Sequence, residues 1–184
     1  RKGKYGFINK AGKVVIPCRY DDALDFSEGL ASVKIKGKYG FINKAGKLVI
    51  SCRYDKAYPF SKGISIVGIN GKFGIINMSG NIVVPCIYDS IGDGDFGAGD
   101  DYCDEEEECC DGEEECCDGV TYESCCSEGL VRVKIKGKYG FVNKLGKLVI
   151  PCRYDDAYPF SEGLAIVNAN GKYGFVNKFG KLVI

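Results

Sequence analysis

Hydrophobic and polar residues alternate in short runs that recur along the whole chain. In one such run, alternation places Tyr39, Phe41 and Asn43 on one face, with Gly40 and Ile42 on the other. A period of two is typical of a β-strand, because successive side chains of a strand point to opposite faces. The pattern therefore predicts a chain of short strands, with no helical period outside one acidic segment.

Turn-forming residues separate these runs. An Asn-Gly pair at residues 70–71 indicates a type I′ turn, which needs positive φ at both central residues, and a Lys-Gly pair takes the same place at 36–37. Residues 43–46 have Asn first and Gly fourth, as in a type I turn followed by a left-handed glycine bulge. Each unit is therefore predicted to be a three-stranded meander, for example residues 29–35, 38–43 and 47–50. The connection at residues 17–29 is interpreted as an ordered loop.

The same unit returns at a fixed interval, so the chain is predicted to be a tandem repeat. A Gly-Lys-aromatic-Gly motif recurs with steps of 34, 34, 66 and 34 residues, and the long step contains an insertion. We expect β repeats at residues 1–92, with a partial first unit, an acidic Cys-rich insertion at 93–126, and repeats again at 127–184. Arg1 and Ile184 fall inside units, as expected if natural termini have been cut away. The structural positions of the repeat are Tyr5, Gly6, Tyr39, Gly40, Phe73, Gly74, Tyr139, Gly140, Tyr173 and Gly174.

A single three-stranded sheet cannot bury its own aromatic residues. Burial of one aromatic side chain contributes roughly 1.5–3 kcal/mol, so neighbouring units are expected to pack on one another. The fold class is therefore all-β, with meanders of about 34 residues arranged either as an open solenoid or spiral, or as a propeller-like array. The sequence leaves both arrangements open.

The repeat resembles a known family. Residues 39–55, followed by Phe60 and the Lys-Gly pair at 62–63, are similar to the WG-repeat family of mainly bacterial β-repeat proteins. The usual Trp of that family is Tyr or Phe in all five copies, and the chain contains no Trp. Another aromatic side chain can fill the same pocket. The resemblance implies an interaction or accessory module rather than a catalyst.

The chain is not expected to be an enzyme. It has no histidine, so the commonest general base and every Ser-His or Cys-His arrangement are absent. Acidic pairs occur at Asp21-Asp22 and Asp155-Asp156, but only the first acid recurs in every unit. Such recurrence is expected of an aspartate that caps the turn after the preceding tyrosine. No catalytic residue, cofactor-binding residue or cofactor is predicted.

The 11 cysteines form two groups. One cysteine per unit is interpreted as a packing residue, with a ligand ladder along stacked units as the alternative: Cys18, Cys52, Cys86 and Cys152. The other seven cysteines, Cys103 included, lie in the insertion, and six of them are candidates for a metal site: Cys109, Cys110, Cys116, Cys117, Cys125 and Cys126. Thiolates suit soft metals, but the spacing does not match zinc motifs, and residues 106–112 are copied identically at 113–119. A disordered low-complexity segment is therefore favoured over a metal-binding module.

Charge is divided unevenly along the chain. Residues 93–126 carry 15 acids and no Lys or Arg, which leaves 25 basic and 10 acidic residues elsewhere. Stacked units would align lysines into rims, from Lys34, Lys36, Lys38, Lys44, Lys47, Lys134, Lys136, Lys138, Lys144 and Lys147. Such rims would attract an anionic partner, nucleic acid or membrane surface included, or would keep the repeat in solution.

These patterns together favour a non-enzymatic scaffold that binds another macromolecule, a protein first. A metal-binding or metal-sensing insertion and an anion-binding or nucleic-acid-binding rim are the alternatives. No run approaches the roughly 20 apolar residues needed to span a bilayer, so no membrane span is predicted. Cysteine usage leaves the compartment open, with the cytoplasm favoured, and the oligomeric state is also left open.

Overall fold

The computed structural model describes residues 3–92 and 126–184, and within these ranges the strands form five antiparallel sheets. Sheet 1 contains β1 (Tyr5–Ile8) and β2 (Val14–Tyr20). Sheet 2 contains β3 (Asp22–Ala23), β4 (Leu30–Ile35), β5 (Lys38–Asn43) and β6 (Leu48–Tyr54). Sheet 3 contains β7 (Lys56–Ala57), β8 (Ile64–Ile69), β9 (Lys72–Asn77) and β10 (Ile82–Tyr88).

Apart from β11, the last two sheets follow the segment that the structure does not describe. Sheet 4 contains β11 (Ser90–Ile91), β12 (Cys126–Ser127), β13 (Leu130–Ile135), β14 (Lys138–Asn143) and β15 (Leu148–Tyr154). Sheet 5 contains β16 (Asp156–Ala157), β17 (Leu164–Ala169) and β18 (Lys172–Asn177). In the described part of the chain, no helix is long and apolar enough to cross a membrane.

The two turns expected from the sequence are present. Lys36 and Gly37 have φ angles of 51° and 79°, so the Lys-Gly pair adopts the same left-handed conformation as the Asn-Gly pairs. In the second turn, the Gly46 amide donates to the Asn43 carbonyl at 2.8 Å, and Gly46 has a φ of 73°. The Asn43 side chain also accepts from the Lys47 amide at 3.0 Å. These contacts explain why Asn and Gly recur at fixed positions of this turn.

Sheets 2 and 3 each have one more strand than the meander predicted from sequence, and sheet 4 has two more. Each extra strand has two residues; β7, for example, comes from the connection that was interpreted as a loop and pairs with β8. A third two-residue turn, which the sequence analysis missed, follows this connection, with φ of 50° at Glu28 and 85° at Gly29. The connection is therefore partly sheet, because its backbone groups pair with the next strand.

In sheets 1 to 4, the strand that corresponds to the third strand of the predicted meander is also longer than predicted, because it contains a bulge. Tyr39 pairs with Tyr54 and Phe41 with Ile50, so four steps along β6 oppose two steps along β5. A bulge of this kind bends a strand and increases its twist. Here it brings the backbone of β6 over Gly40, where an added Cβ would lie 2.5 Å from the Ile50 carbonyl oxygen.

Successive sheets share hydrophobic cores. Phe41 and Ile50 of sheet 2 pack with Phe60 and Ile76 of sheet 3 in one cluster. Ile42, on the opposite face of β5, belongs to the cluster that joins sheet 2 to sheet 1. Two further clusters join sheet 3 to sheet 4 and sheet 4 to sheet 5 in the same way. Packing between units was expected, and the inner sheets are covered on both faces.

Candidate interaction surface

The aromatic-glycine pairs lie on equivalent strands of the five sheets (β1, β5, β9, β14 and β18) and have a structural role. A Cβ at any of the five glycines would lie 2.5–2.6 Å from a carbonyl oxygen of the adjacent strand or chain end, at Gly6, Gly40, Gly74, Gly140 and Gly174. Real Cβ atoms do not approach so closely, so only glycine fits. The aromatic partner ranges from Phe73, which is 3% exposed, to Tyr173, which is 65% exposed. Half-buried Tyr39 lies beneath the Lys34 ammonium, 5.0 Å from the ring centroid, and Tyr139 is likewise half-buried, whereas Tyr5 is exposed.

The recurrent aspartate is a cap, but of a different turn from the one predicted. Asp55 accepts a hydrogen bond at 2.8 Å from the amide of Asn70, in the hairpin turn of its own downstream sheet, and forms an ion pair with Lys38. Together these partners hold the pKa of the Asp55 carboxyl below its usual value, with the Lys38 hydrogen bond as the largest cause. The ion pair recurs as Lys4–Asp21, Lys72–Asp89 and Lys138–Asp155.

The cysteines that recur once per unit lie against the middle of their sheets. Cys52, Cys86 and Cys152 are half-buried, and each Sγ lies 3.8–4.0 Å from a backbone carbonyl oxygen in the first long strand of its sheet. Burial raises the pKa of these three thiols. Cys18 is exposed. Within residues 3–92 and 126–184, no three His, Cys, Asp or Glu side chains are grouped to hold a metal ion.

The metal candidates of the insertion fall almost entirely outside the described residues. Cys126 alone is described, as a half-buried free thiol in β12, so the last residue of the predicted insertion already belongs to sheet 4. The others, Cys109, Cys110, Cys116, Cys117 and Cys125, lie in the part that is not described. Their assignment to a metal site or to low-complexity sequence remains a prediction.

The lysines divide into two classes. Lys38 and Lys138 are held in the ion pairs with aspartate, and Lys34 and Lys134 lie over tyrosine rings. The lysines of the Asn-Lys-x-Gly-Lys turn are instead exposed at one end of their sheets: Lys10, Lys13, Lys44, Lys47, Lys144 and Lys147. Lys36 and Lys136, in the hairpin turns at the opposite end, are exposed as well, so the charge available to a partner lies on both sets of turns.

A row of exposed apolar side chains follows these turn lysines directly. It occupies the first residue of each edge strand, and the equivalent chain position in sheet 5, and we name it the edge stripe: Val14 (55% exposed), Leu48 (43%), Ile82 (61%), Leu148 (44%) and Leu182 (58%). The preceding residue is lysine in four units and asparagine in one, Asn81. Because packed sheets lie about 10 Å apart, equivalent residues of successive sheets are expected to recur at about that spacing.

The edge stripe was not predicted, although the sequence contained a signal for it. Leu48 and Val49 are adjacent apolar residues before the buried Ile50, and alternation requires that such neighbours face in different directions. Leu48 and Val49 are both exposed, because the strand lies at the edge of its sheet and approaches the bulge. Contiguous exposed apolar side chains next to cationic ones are typical of a protein-binding surface.

The geometry and the sequence together place the chain in one class. It is a protein of repeated antiparallel sheets, in which apolar residues at regular intervals of the sequence form the packing between units. The family model described as "WG containing repeat" matches residues 5–39, 39–73, 73–96 and 139–173, more than half of the chain, and the chain belongs to this family. The resemblance seen in residues 39–55 is thereby confirmed. No curated protein and no solved structure matches the chain.

Proposed function

We propose that this chain is a non-catalytic repeat scaffold that binds another protein along the edge stripe. The observation that carries the proposal is the recurrence of one exposed apolar residue at the same position of all five sheets, from Val14 to Leu182. A row of this kind contributes nothing to the cores between sheets. It gains free energy only when a partner removes it from water, at roughly 25 cal/mol per Å² of apolar surface.

The charges beside the stripe indicate the chemistry of the partner. Lys13, Lys47 and Lys147 precede stripe residues and are exposed. The strands that carry the stripe also lie at sheet edges, where backbone amides and carbonyls face outward. An extended acidic segment with apolar side chains would complement all three features, by strand addition and by charge.

An open array, rather than a closed ring, fits the exposure of the outer sheets. Ile8 of sheet 1 is 66% exposed, whereas the equivalent Ile42 is 1% exposed against sheet 1. At the other end Phe175 is 36% exposed, whereas the equivalent Phe141 is 1% exposed against sheet 5. A ring would cover both faces by bringing sheets 1 and 5 together. The stripe would then run continuously along one side of a solenoid.

The absence of a catalytic role is supported by where the carboxylates lie. Asp21, Asp55, Asp89 and Asp155 all hold lysine ammonium groups and hairpin amides, which keeps the pKa of each carboxyl low. A general base that works near neutral pH needs a raised pKa instead. The chain also has no histidine to take that role.

A triple variant of the stripe tests the proposal. Leu48→Ser, Ile82→Ser and Leu148→Ser remove three exposed apolar side chains without a change in net charge, and Lys36→Gln with Lys136→Gln is the control at the opposite turns. Each protein is immobilised and incubated with lysate of the source organism, and bound proteins are quantified by mass spectrometry and then titrated in purified form. We expect partners of the unmodified chain to be lost from the stripe variant and retained by the control. Equal retention by both variants would contradict the proposal.

An anion-binding rim is the second candidate, because Lys44, Lys47, Lys144 and Lys147 are exposed at equivalent turns. Binding of nucleic acid through such lysines would weaken steeply with salt, as counterions are released. A filter-binding titration with random-sequence DNA at two salt concentrations tests it, with Lys44→Gln, Lys47→Gln, Lys144→Gln and Lys147→Gln as the variant. Binding that is insensitive to both salt and the variant would exclude this function.

A further inference from the structure

Two turn tips have large apolar side chains that the described part of the chain leaves uncovered. Leu145 and Phe179 occupy the same position of the Asn-x-x-Gly turn, in sheets 4 and 5, and are 85% and 89% exposed. We name these two residues the tip pair. Leu145 lies in a sheet that is packed against a neighbour on either side, so its exposure is a property of the turn position itself. Neither side chain contributes to the cores between sheets.

The turn does not require a large apolar residue at this position. The equivalent residues of sheets 1, 2 and 3 are small: Ala11, Ala45 and Ser79. The hydrogen bonds around them are the same, since the Asn43 side chain accepts from the Ala45 amide at 3.1 Å and the Asn143 side chain accepts from the Leu145 amide at 2.9 Å. The tip pair is therefore an addition to the turns of sheets 4 and 5 that folding does not explain.

The turn geometry holds the tip pair in a fixed position. The Asn177 side chain accepts from the amides of Phe179 and Lys181, both at 3.0 Å, so the backbone on each side of this tip is anchored. The glycine after the tip lies against the preceding sheet, because a Cβ at Gly180 would lie 3.3 Å from the Ile150 side chain. Since packed sheets lie about 10 Å apart, the two tips are expected to lie side by side at about that spacing.

Lysines surround the tip pair. Three exposed ones lie within two residues of a tip: Lys144, Lys147 and Lys181. A fourth, Lys178, is half-buried and pairs with Glu128 at 2.9 Å, and Glu162, the repeat equivalent of Glu128, is an exposed acid of the next turn. The lysines therefore outnumber the acids around the tips. Ammonium groups beside exposed apolar side chains match the layers of an anionic membrane surface, where charged headgroups cover apolar acyl chains.

We propose that the tip pair and its lysines dock the protein on an anionic membrane surface. The Leu145 and Phe179 side chains enter the boundary between headgroups and acyl chains, and the ammonium groups bind lipid phosphates. A nucleic acid offers the phosphates but no apolar phase for the two side chains, whereas a bilayer offers both. Apolar insertion and charge attraction are each weak alone and give stable membrane binding together. The contact involves sheets 4 and 5 and is separate from the protein partner of the edge stripe.

Flotation with lipid vesicles tests the proposal on the full chain. We expect binding to vesicles of equal parts phosphatidylcholine and phosphatidylglycerol, and much weaker binding to vesicles of phosphatidylcholine alone. Leu145→Ser with Phe179→Ser should weaken binding to the anionic vesicles about tenfold or more, because the burial of two apolar side chains is lost. Ala11→Ser with Ala45→Ser, at the same position of other turns, should leave binding within about twofold.

All four of these residues are exposed, so the melting temperatures of both variants should match that of the unmodified chain. Absence of binding to the anionic vesicles, equal binding to the neutral ones, or a tip-pair variant that binds as tightly as the control would each overturn the proposal.

A tryptophan reporter tests the orientation on the membrane. The chain has no Trp, so Phe179→Trp supplies a single indole. Its emission should shift to shorter wavelength on the anionic vesicles and be quenched by lipids with brominated acyl chains, because the indole leaves water. The control is Tyr173→Trp, at a residue that is 65% exposed near the opposite end of the same sheet, and its emission should not change. Equal quenching of both reporters would refute docking through the tips.

Two further variants separate the tip pair from its surroundings. Lys144→Gln, Lys147→Gln and Lys181→Gln should weaken binding to the anionic vesicles by about fivefold for each lysine, and leave the weak binding to neutral vesicles unchanged. Leu48→Ser with Ile82→Ser alters the edge stripe outside sheets 4 and 5 and should bind vesicles as tightly as the unmodified chain. Loss of vesicle binding in this last variant would place the membrane contact on the edge stripe and refute the assignment to the tips.

Discussion

The interface between sheets 4 and 5 and the interface between sheets 3 and 4 have the same backbone plan but different side chains. The first has a phenylalanine pair, Phe141 with Phe160, and an ion pair between Glu128 and Lys178. At the second, the positions of the phenylalanine pair hold Ile75 and Cys126, the positions of Glu128 and Lys178 hold Lys62 and Lys144, and a cavity of about 190 Å³ lies between the sheets. In a repeat array each interface contributes separately to stability, so one junction can lose packing without loss of the others.

A polar contact is present at the first two interfaces of the array and is lost at the interface between sheets 3 and 4. Arg19 of sheet 1 donates to the Gly46 carbonyl of sheet 2 at 2.8 Å, and Arg53 of sheet 2 donates to Gly80 of sheet 3 at 3.2 Å. The equivalent residue of sheet 3 is Ile87, so this link to sheet 4 cannot form. The array continues across this junction through the hydrophobic cluster that includes Phe73, Ile75 and Val131, without the phenylalanine pair or the arginine contact.

The largest effect should come from removal of a phenylalanine at the regular interface. Phe160→Ala deletes a ring that is 3% exposed and should destabilise the protein by about 3–5 kcal/mol, because a cavity remains. Cys126→Ala at the equivalent position should cost less than about 1 kcal/mol, since only a half-buried thiol is lost. Urea unfolding monitored by circular dichroism measures both. Similar losses would show that the two junctions do not differ in packing energy.

The next effect concerns the feature that all the junctions share, the glycine beneath the bulge. Gly140→Val should destabilise by roughly 1–3 kcal/mol or more, because its side chain would meet the backbone of β15. Lys138→Gln, two residues earlier, removes only an exposed ion pair and should cost less than about 1 kcal/mol. The two melting temperatures give the comparison. If they fall equally, the glycine is tolerated at this position rather than required.

Much of this architecture could be predicted because turn chemistry is local. Asn70 and Gly71 have φ angles of 51° and 71°, which the sequence pair alone indicates. Gly140 was likewise predicted to be a structural position of the repeat, and an added Cβ there would lie 2.5 Å from the Ile150 carbonyl oxygen. These features depend on residues within one unit, so a single sequence is sufficient to predict them.

The packing between units was predicted, but particular contacts between residues far apart in the sequence were not. Asp55 was expected to cap the turn beside it, but its carboxylate reaches the Asn70 amide 15 residues away, which only the paired strands bring near. The edge stripe depends on which strand lies outermost in its sheet. The cavity depends on the loss of a phenylalanine pair, and in the regular units the two members of that pair are 19 residues apart in sequence. No local pattern specifies these distances.

A smaller effect is expected from the Lys-Asp ion pairs. Both junctions have one, so the two can be compared directly. Lys72 and Lys138 hold the pKa of Asp89 and Asp155 below the usual value. A lowered folded pKa stabilises the protein above the unfolded value of about 3.9, and this contribution is lost as the pH falls through the folded pKa. Asp89→Asn and Asp155→Asn should therefore lower the urea midpoint at pH 7 by similar small amounts.

The same variants should differ less from the unmodified chain as the pH falls through the lowered folded pKa of the two carboxyls, because the ion pairs are lost when these groups become protonated. Asp25→Asn, at an exposed aspartate outside the four ion pairs, removes the same charge and serves as the control. A gap between the variants and the unmodified chain that stays constant from pH 7 to pH 2.5 would mean that the pairs do not contribute through ionisation.

The smallest effect on folding is expected from removal of the acidic insertion. Residues 90–126 occupy the place of Asp-Ala-Tyr-Pro-Phe, residues 156–160, which connects sheet 4 to sheet 5. Replacement by that pentapeptide should leave cooperative melting intact, because a change of loop length costs only about 0.6 kcal/mol per doubling. The new phenylalanine takes the place of Cys126, so the replacement also restores half of the missing aromatic pair and should raise the melting temperature slightly.

The same replacement separates the charge of the insertion from its effect on folding. Residues 93–126 contribute 15 acids and no basic residue, so the shortened protein is strongly basic. It should bind an anionic resin more tightly than the full chain at 0.1 M salt, and the difference should shrink towards 1 M, as the Debye length falls from about 10 Å to about 3 Å. If the shortened protein fails to fold, the insertion is a structural element of sheet 4. If it folds but its retention is unchanged, the turn lysines do not form an electrostatic surface that the insertion offsets.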